Sequence, residues 1–164
     1  MIKNTCALIL VVALSLVAAI MSAAVATSRT TQGIAYSFRP ASSTNYAFTL
    51  HATGRSVTLK ERDHTNDHQM WIETPATDKK SFRLVNKADK TMCLAIPNAN
   101  PNAYVFAYPC DVKIKDHYWT WTRLQRLLNH ATGKAAAPEE VKEGSKIKQW
   151  DPAAQESKLV RYRY

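Results

Sequence analysis

From Ala35 onward, the apolar residues of this 164-residue chain fall in short runs that alternate with polar positions. The runs are rich in Val, Thr and Tyr, and clusters of Asn, Asp, Pro and Gly separate them. Alternation with period two, broken by turn residues every few positions, predicts strands and hairpins rather than helices. One stretch departs from this pattern. The Ala- and Glu-rich segment 134–143, KAAAPEEVKE, reads as a helical turn. At the C-terminus, Arg161, Tyr162, Arg163 and Tyr164 alternate as a last strand would, with one face in and one face out.

The strand pattern repeats. Val57-Thr58-Leu59 precedes Trp71 by fourteen residues and Val105-Phe106-Ala107 precedes Trp119 by fourteen, so both anchors shift by 48. Upstream, Ala47-Phe48-Thr49-Leu50 matches Cys93-Leu94-Ala95-Ile96. A third copy opens at Leu127-Leu128-Asn129 and runs through Ile147-Lys148-Gln149-Trp150. The copies lie near 34–73, 80–122 and 124–164, and each reads as four short strands unable to bury an apolar face alone. Three such units around a pseudo-threefold axis bury one another and close a barrel, which removes most free sheet edges. The expected fold is therefore all-β, a single β-trefoil over 34–164.

Ahead of the repeats, Lys3 is followed by an apolar run from Ala7 to Ile20 and by the small residues Ala24-Val25-Ala26. That layout predicts a signal peptide over 1–26, an N-terminal extension over 27–33 and a secreted, extracellular mature chain. The alternative is an uncleaved anchor, since the stretch from Cys6 to Ala26 is long enough to span a bilayer. Loss of Lys3 lowers the formal charge from +9 to +8, so the mature chain stays basic. Basicity favours anionic partners without choosing among them. No block of five basic residues occurs, and nucleic acid is not expected as a partner. After cleavage Cys93 and Cys110 remain, and in an oxidising compartment this pair reads as a disulfide.

In these residues the chain resembles the ricin B-type lectins. The resemblance rests on Gln69-Met70-Trp71 in the first unit, on Cys93-Leu94 and Tyr108-Pro109-Cys110 in the second, and on His117-Tyr118-Trp119, where His stands in place of Gln. In the third unit Ser157-Lys158-Leu159 occupies the motif. An indole repeated at one place in a unit buries a large apolar area, so Trp71 and Trp119 are read as core and Gln69 as a group that pins backbone in its turn. The resemblance implies sugar sites built from an Asp after Cys-Leu, an aromatic on the third strand and an Asn before the motif. The Asp position is Thr49, Ala95 and either Ala137 or Pro138. The stacking position is Lys60, Tyr108 and Trp150. The Asn position is His68, Asp116 and Glu156.

No unit keeps the Asp, so altered or degenerate sites are expected rather than the usual galactose contacts. The candidate carbohydrate-binding residues are Tyr108, Asp116 and His117 in the second unit, with Trp150 and Asp151 in the third. Glycans or glycoproteins on a cell surface are the implied partners. Nothing calls for a cofactor or a metal: His64, Asp67 and His68 read as a polar turn. The chain lacks a nucleophile elbow and a phosphate-cradling loop, and Glu139-Glu140 are adjacent rather than spaced as a glycosidase pair, so no enzymatic step is expected. The alternative on the same scaffold is a protein-binding trefoil, a protease inhibitor or secreted effector, with 97–103 as its loop.

Overall fold

Twelve short strands account for nearly all the regular structure in a computed structural model, which describes residues 33–97, 100, 103–111 and 113–164. The expected signal segment, all of the extension except Gly33, and four of the seven residues of 97–103 lie outside the described residues. The strands are β1 (Ala35–Pro40), β2 (Tyr46–Leu50), β3 (Val57–Glu61), β4 (Trp71–Pro75), β5 (Phe82–Asn86), β6 (Met92–Ala95), β7 (Phe106–Pro109), β8 (Tyr118–Trp121), β9 (Leu127–Asn129), β10 (Ala135–Pro138), β11 (Ile147–Trp150) and β12 (Leu159–Arg163). A short 3₁₀ turn precedes each fourth strand, at Asp67–Gln69, Lys115–His117 and Gln155–Ser157. Among the described residues no helix is long and apolar enough to cross a membrane.

Six strands make the barrel. β12 pairs with β1, β1 with β4, β4 with β5, β5 with β8 and β8 with β9, all antiparallel. The Leu159 N–H donates to the Gln125 carbonyl at 2.8 Å and closes the ring. The remaining strands form three hairpins, β2–β3, β6–β7 and β10–β11. Single bridges join these in a circle: Ser56 to Phe106, Tyr104 to Lys148 and Lys146 to Thr58. That circle is threefold, since position 56 corresponds to 104 and 146, and 58 to 106 and 148. A second circle laces the same elements. The N–H groups of Leu59, Ala107 and Gln149 donate to the carbonyls of Ser145, Arg55 and Ala103, so the tip of each hairpin rests on the third strand of another repeat.

The core lies on the axis. Phe38, Phe48, Leu59, Leu84, Leu94, Leu127 and Ile147 are fully enclosed, and so are Trp71 and Trp119. The two indole N–H groups donate to the carbonyls of Phe48 (3.1 Å) and Leu94 (2.8 Å), which tie each Gln-x-Trp region to the second strand of its own repeat. Leu159, equally buried, takes the third place. Cys93 and Cys110 form a disulfide across the ends of the β6–β7 hairpin. Gly33 admits no side chain: a Cβ there would lie 2.8 Å from the Glu73 carbonyl oxygen.

One predicted element is corrected. Segment 134–143 holds strand β10 followed by a turn, with no helical turn. Ala135, Ala136 and Ala137 are completely buried, so their small size serves close packing. The intrinsic helix preference of Ala, a few tenths of a kcal/mol per residue, yields to pairing and burial. Gly144, at φ +78°, turns the chain back into β11.

Candidate functional site

The strand register assigns each repeat its equivalent positions. Thr49 pairs with Thr58, Ala95 with Phe106 and Ala137 with Lys148. Ala137, not Pro138, therefore stands with Thr49 and Ala95 on the second strand. Lys60, Tyr108 and Trp150 are equivalent on the third strand, and His68, Asp116 and Glu156 on the 3₁₀ turn.

Gln69 and His117 show what the motif does for the fold. The Gln69 side chain accepts the Asp63 N–H at 2.9 Å and donates to the Glu61 carbonyl at 2.7 Å, spanning the exit of β3. His117 accepts the Asp111 N–H through Nδ1 at 3.2 Å in the equivalent place. Only 3% of His117 is exposed, and burial pushes its pKa below the ordinary value of 6.5. Among the candidate sugar contacts, His117 is thus turned into the fold. Ser157, in the third repeat, donates to the Ala154 carbonyl at 2.7 Å, and its hydroxyl accepts from buried Arg126 at 2.8 Å.

Tyr108 and Asp116 are half-buried at the outer side of the second repeat. The backbone carbonyl of Asp116 accepts from Asn129 Nδ2 at 2.7 Å and from the Ile96 N–H at 3.4 Å, which holds the 3₁₀ turn against the end of β6. The Arg55 guanidinium, from the β2–β3 tip, lies 5.0 Å from the Tyr108 ring centroid. In the third repeat Trp150 is also half-buried. Its indole N–H donates to the Pro138 carbonyl at 3.2 Å, while the Lys148 ammonium lies 4.7 Å from the ring centroid. Asp151 accepts the Ala153 N–H at 2.8 Å in a local turn. Both aromatic platforms therefore carry a cation.

A broad concavity lies in the first repeat, where sequence reasoning found no candidate. A cleft of about 420 Å³ is lined by Thr49, His51, Lys60, Glu61, Asp63, Asn66, His68 and Glu143. A smaller, more enclosed depression of about 280 Å³ adjoins it past Glu61 and Glu143, toward Tyr46 and Arg62. The predicted polar turn 64–68 forms one wall. There Asn66 caps the turn by accepting the His68 N–H at 3.0 Å, and Asp67 pairs with Lys87 at 2.8 Å. Asp63 accepts the Thr65 hydroxyl and N–H at 2.7 and 2.8 Å, which hold its carboxyl below the usual range. His51 shares a hydrogen bond with the Thr58 hydroxyl at 2.8 Å. Lys60 reaches Glu143 of the third repeat at 3.2 Å. The signal for this site was divided between distant parts of the sequence, because the wall at Glu143 comes from another repeat.

No family model and no curated protein sequence matches the chain. Solved structures do. The designed threefold-symmetric protein ThreeFoil is similar at a TM-score of 0.67 and 20% identity over 77% of this chain and 97% of its own. The Polyporus squamosus lectin, solved with the sialylated epitope Neu5Acα2-6Galβ1-4GlcNAc, is similar at 0.68 and 11% identity, over 80% of this chain and 50% of that one. The agglutinin of Abrus precatorius follows at 0.65 and 14% identity, over 80% and 48%. The chain thus spans about half of each lectin polypeptide. At such identities the likeness concerns architecture, and it agrees with the twelve-strand threefold arrangement. In fold, the chain is a β-trefoil.

Proposed function

We propose that the protein is a secreted carbohydrate-binding module that recognises glycans or glycoproteins at a cell surface and carries out no bond-making or bond-breaking step. The observation that carries this reading is the first-repeat cleft: a concavity of sugar size on a lectin-type trefoil, lined by side chains that both donate and accept hydrogen bonds. Thr49, Lys60 and His68 hold the positions that the lectin resemblance assigns to sugar contacts. Tyr108 with Asp116, and Trp150 with Asp151, serve as outlying platforms for an extended glycan, since each pair joins a half-exposed ring to a carboxylate. His117 belongs to the fold rather than to a contact surface.

The disulfide suits an oxidising compartment. A broad glycan array with chain 27–164 tests the reading. Retention of a defined set of glycans is expected. Absence of retention on the array and on polysaccharide resins alike overturns it.

A further inference from the structure

Thr49, which lines the first-repeat cleft, is 6% exposed, and its hydroxyl spends its proton on the Ala47 carbonyl at 3.0 Å, so this position brings the cleft no carboxylate. The ring face that an aromatic would supply is replaced by the ammonium of Lys60. Three carboxylates nevertheless line the cleft, Glu61 and Asp63 from the first repeat and Glu143 from the third, and Glu143 is the one held against the Lys60 ammonium. Glu143 lies at the β10–β11 tip, and that tip is tied to β3 from both sides. The Gly144 N–H donates to the Leu59 carbonyl and the Leu59 N–H donates to the Ser145 carbonyl, each at 2.8 Å. Lys60 Nζ then holds Glu143 Oε1 at 3.2 Å across the boundary between repeats.

We infer that Glu143, held beside Lys60, is the sugar acceptor of the first-repeat site, supplied by another repeat where the second-strand position carries Thr49 instead of a carboxylate, and that it selects an uncharged sugar presenting two neighbouring hydroxyls. The inference rests on the carbohydrate-binding reading. A carboxylate accepts two adjacent hydroxyls in parallel, and the Lys60 ammonium beside it donates to a third oxygen. The local charge decides the sugar class. Lys60 is the one Lys or Arg among the cleft-lining residues, against the three carboxylates of Glu61, Asp63 and Glu143. Although the chain as a whole is strongly basic, an acidic glycan entering this cleft meets an excess of negative charge. The lacing of hairpin tips recurs around the axis, so a borrowed side chain is a natural product of this fold. Arg55 over Tyr108 is another case.

The experiment compares chain 27–164 with Glu143→Gln and with Glu139→Gln, a nearby exposed carboxylate outside the cleft, on neutral, sialylated and uronic-acid glycans. Thermal unfolding of each variant is measured in parallel. Expected are retention of neutral glycans by the parent and by Glu139→Gln, and at least about tenfold weaker retention by Glu143→Gln at an unchanged melting temperature, the loss of one charge-assisted acceptor. Neutral-glycan retention that is equal in Glu143→Gln and the parent, or retention confined to acidic glycans, overturns the inference and leaves the carbohydrate reading in place. No retention of any glycan by the parent overturns both.

Discussion

At the scale of single residues, two titratable groups carry stored electrostatic cost. His117 is neutral in the folded chain because burial disfavours its charged form. At high pH both states have a neutral imidazole and the group contributes nothing. As pH falls through 6.5 the unfolded chain takes up a proton that the folded chain resists, so stability declines from there down to the lowered folded pKa. The slope is at most about 1.4 kcal/mol per pH unit. His117→Gln, which installs the residue found in the first repeat, should flatten the fall in melting temperature between pH 7 and pH 5. An unchanged slope would contradict the assignment. Glu73 behaves in the opposite sense. Burial raises its pKa, and the Arg161 guanidinium, at 3.2 and 3.3 Å, opposes the rise without overcoming it. Arg161→Met leaves a half-buried carboxylate without its cation and with the Tyr36 hydroxyl as its remaining partner, and should cost roughly 2 kcal/mol by denaturant unfolding, whereas Glu73→Gln should cost less.

At the scale of elements, strands whose anchors recur were legible in the sequence, and those whose residues only fit a partner were not. Trp71 and Trp119, fourteen residues beyond Val57 and Val105, marked β3–β4 and β7–β8 because each indole fills the same volume. Strand β10 was obscured: Ala135–Ala137 carry no β signal and owe their conformation to pairing with β9 and β11 and to complete burial. The hairpin ends make a measurable contribution. Replacing both Cys93 and Cys110 by Ser should lower stability by about 3 kcal/mol on the chain-entropy model, read by denaturant unfolding. Gln69→Ala removes the bridge between the Glu61 carbonyl and the Asp63 N–H. It should cost roughly 1–3 kcal/mol, since both groups lose their partner at the exit of β3.

At the scale of the whole molecule, the threefold axis explains why the fold was readable and the cleft was not. Repeats are compared by placing equivalent residues side by side, and that comparison identified Lys60, Tyr108 and Trp150 as one position. It discounted the first repeat because Lys60 is not aromatic. The cleft instead draws on two repeats at once, with His51, Asp63 and His68 from the first and Glu143 from the third. The lacing of hairpin tips onto other repeats is a three-dimensional relation that spacing along the chain does not express. The three repeats thus share the barrel and its core while differing in the residues around the hairpins.

The central claim is that this trefoil binds a glycan through directed hydrogen bonds in a cleft rather than through its overall positive charge. It is tested most directly by measuring glycan retention on chain 27–164 at about 0.1 M and about 1 M salt, where the screening length falls from about 10 Å to about 3 Å. The account predicts that the same neutral glycans are retained at both concentrations. Binding restricted to polyanionic glycans at low salt, and abolished at high salt, would contradict it.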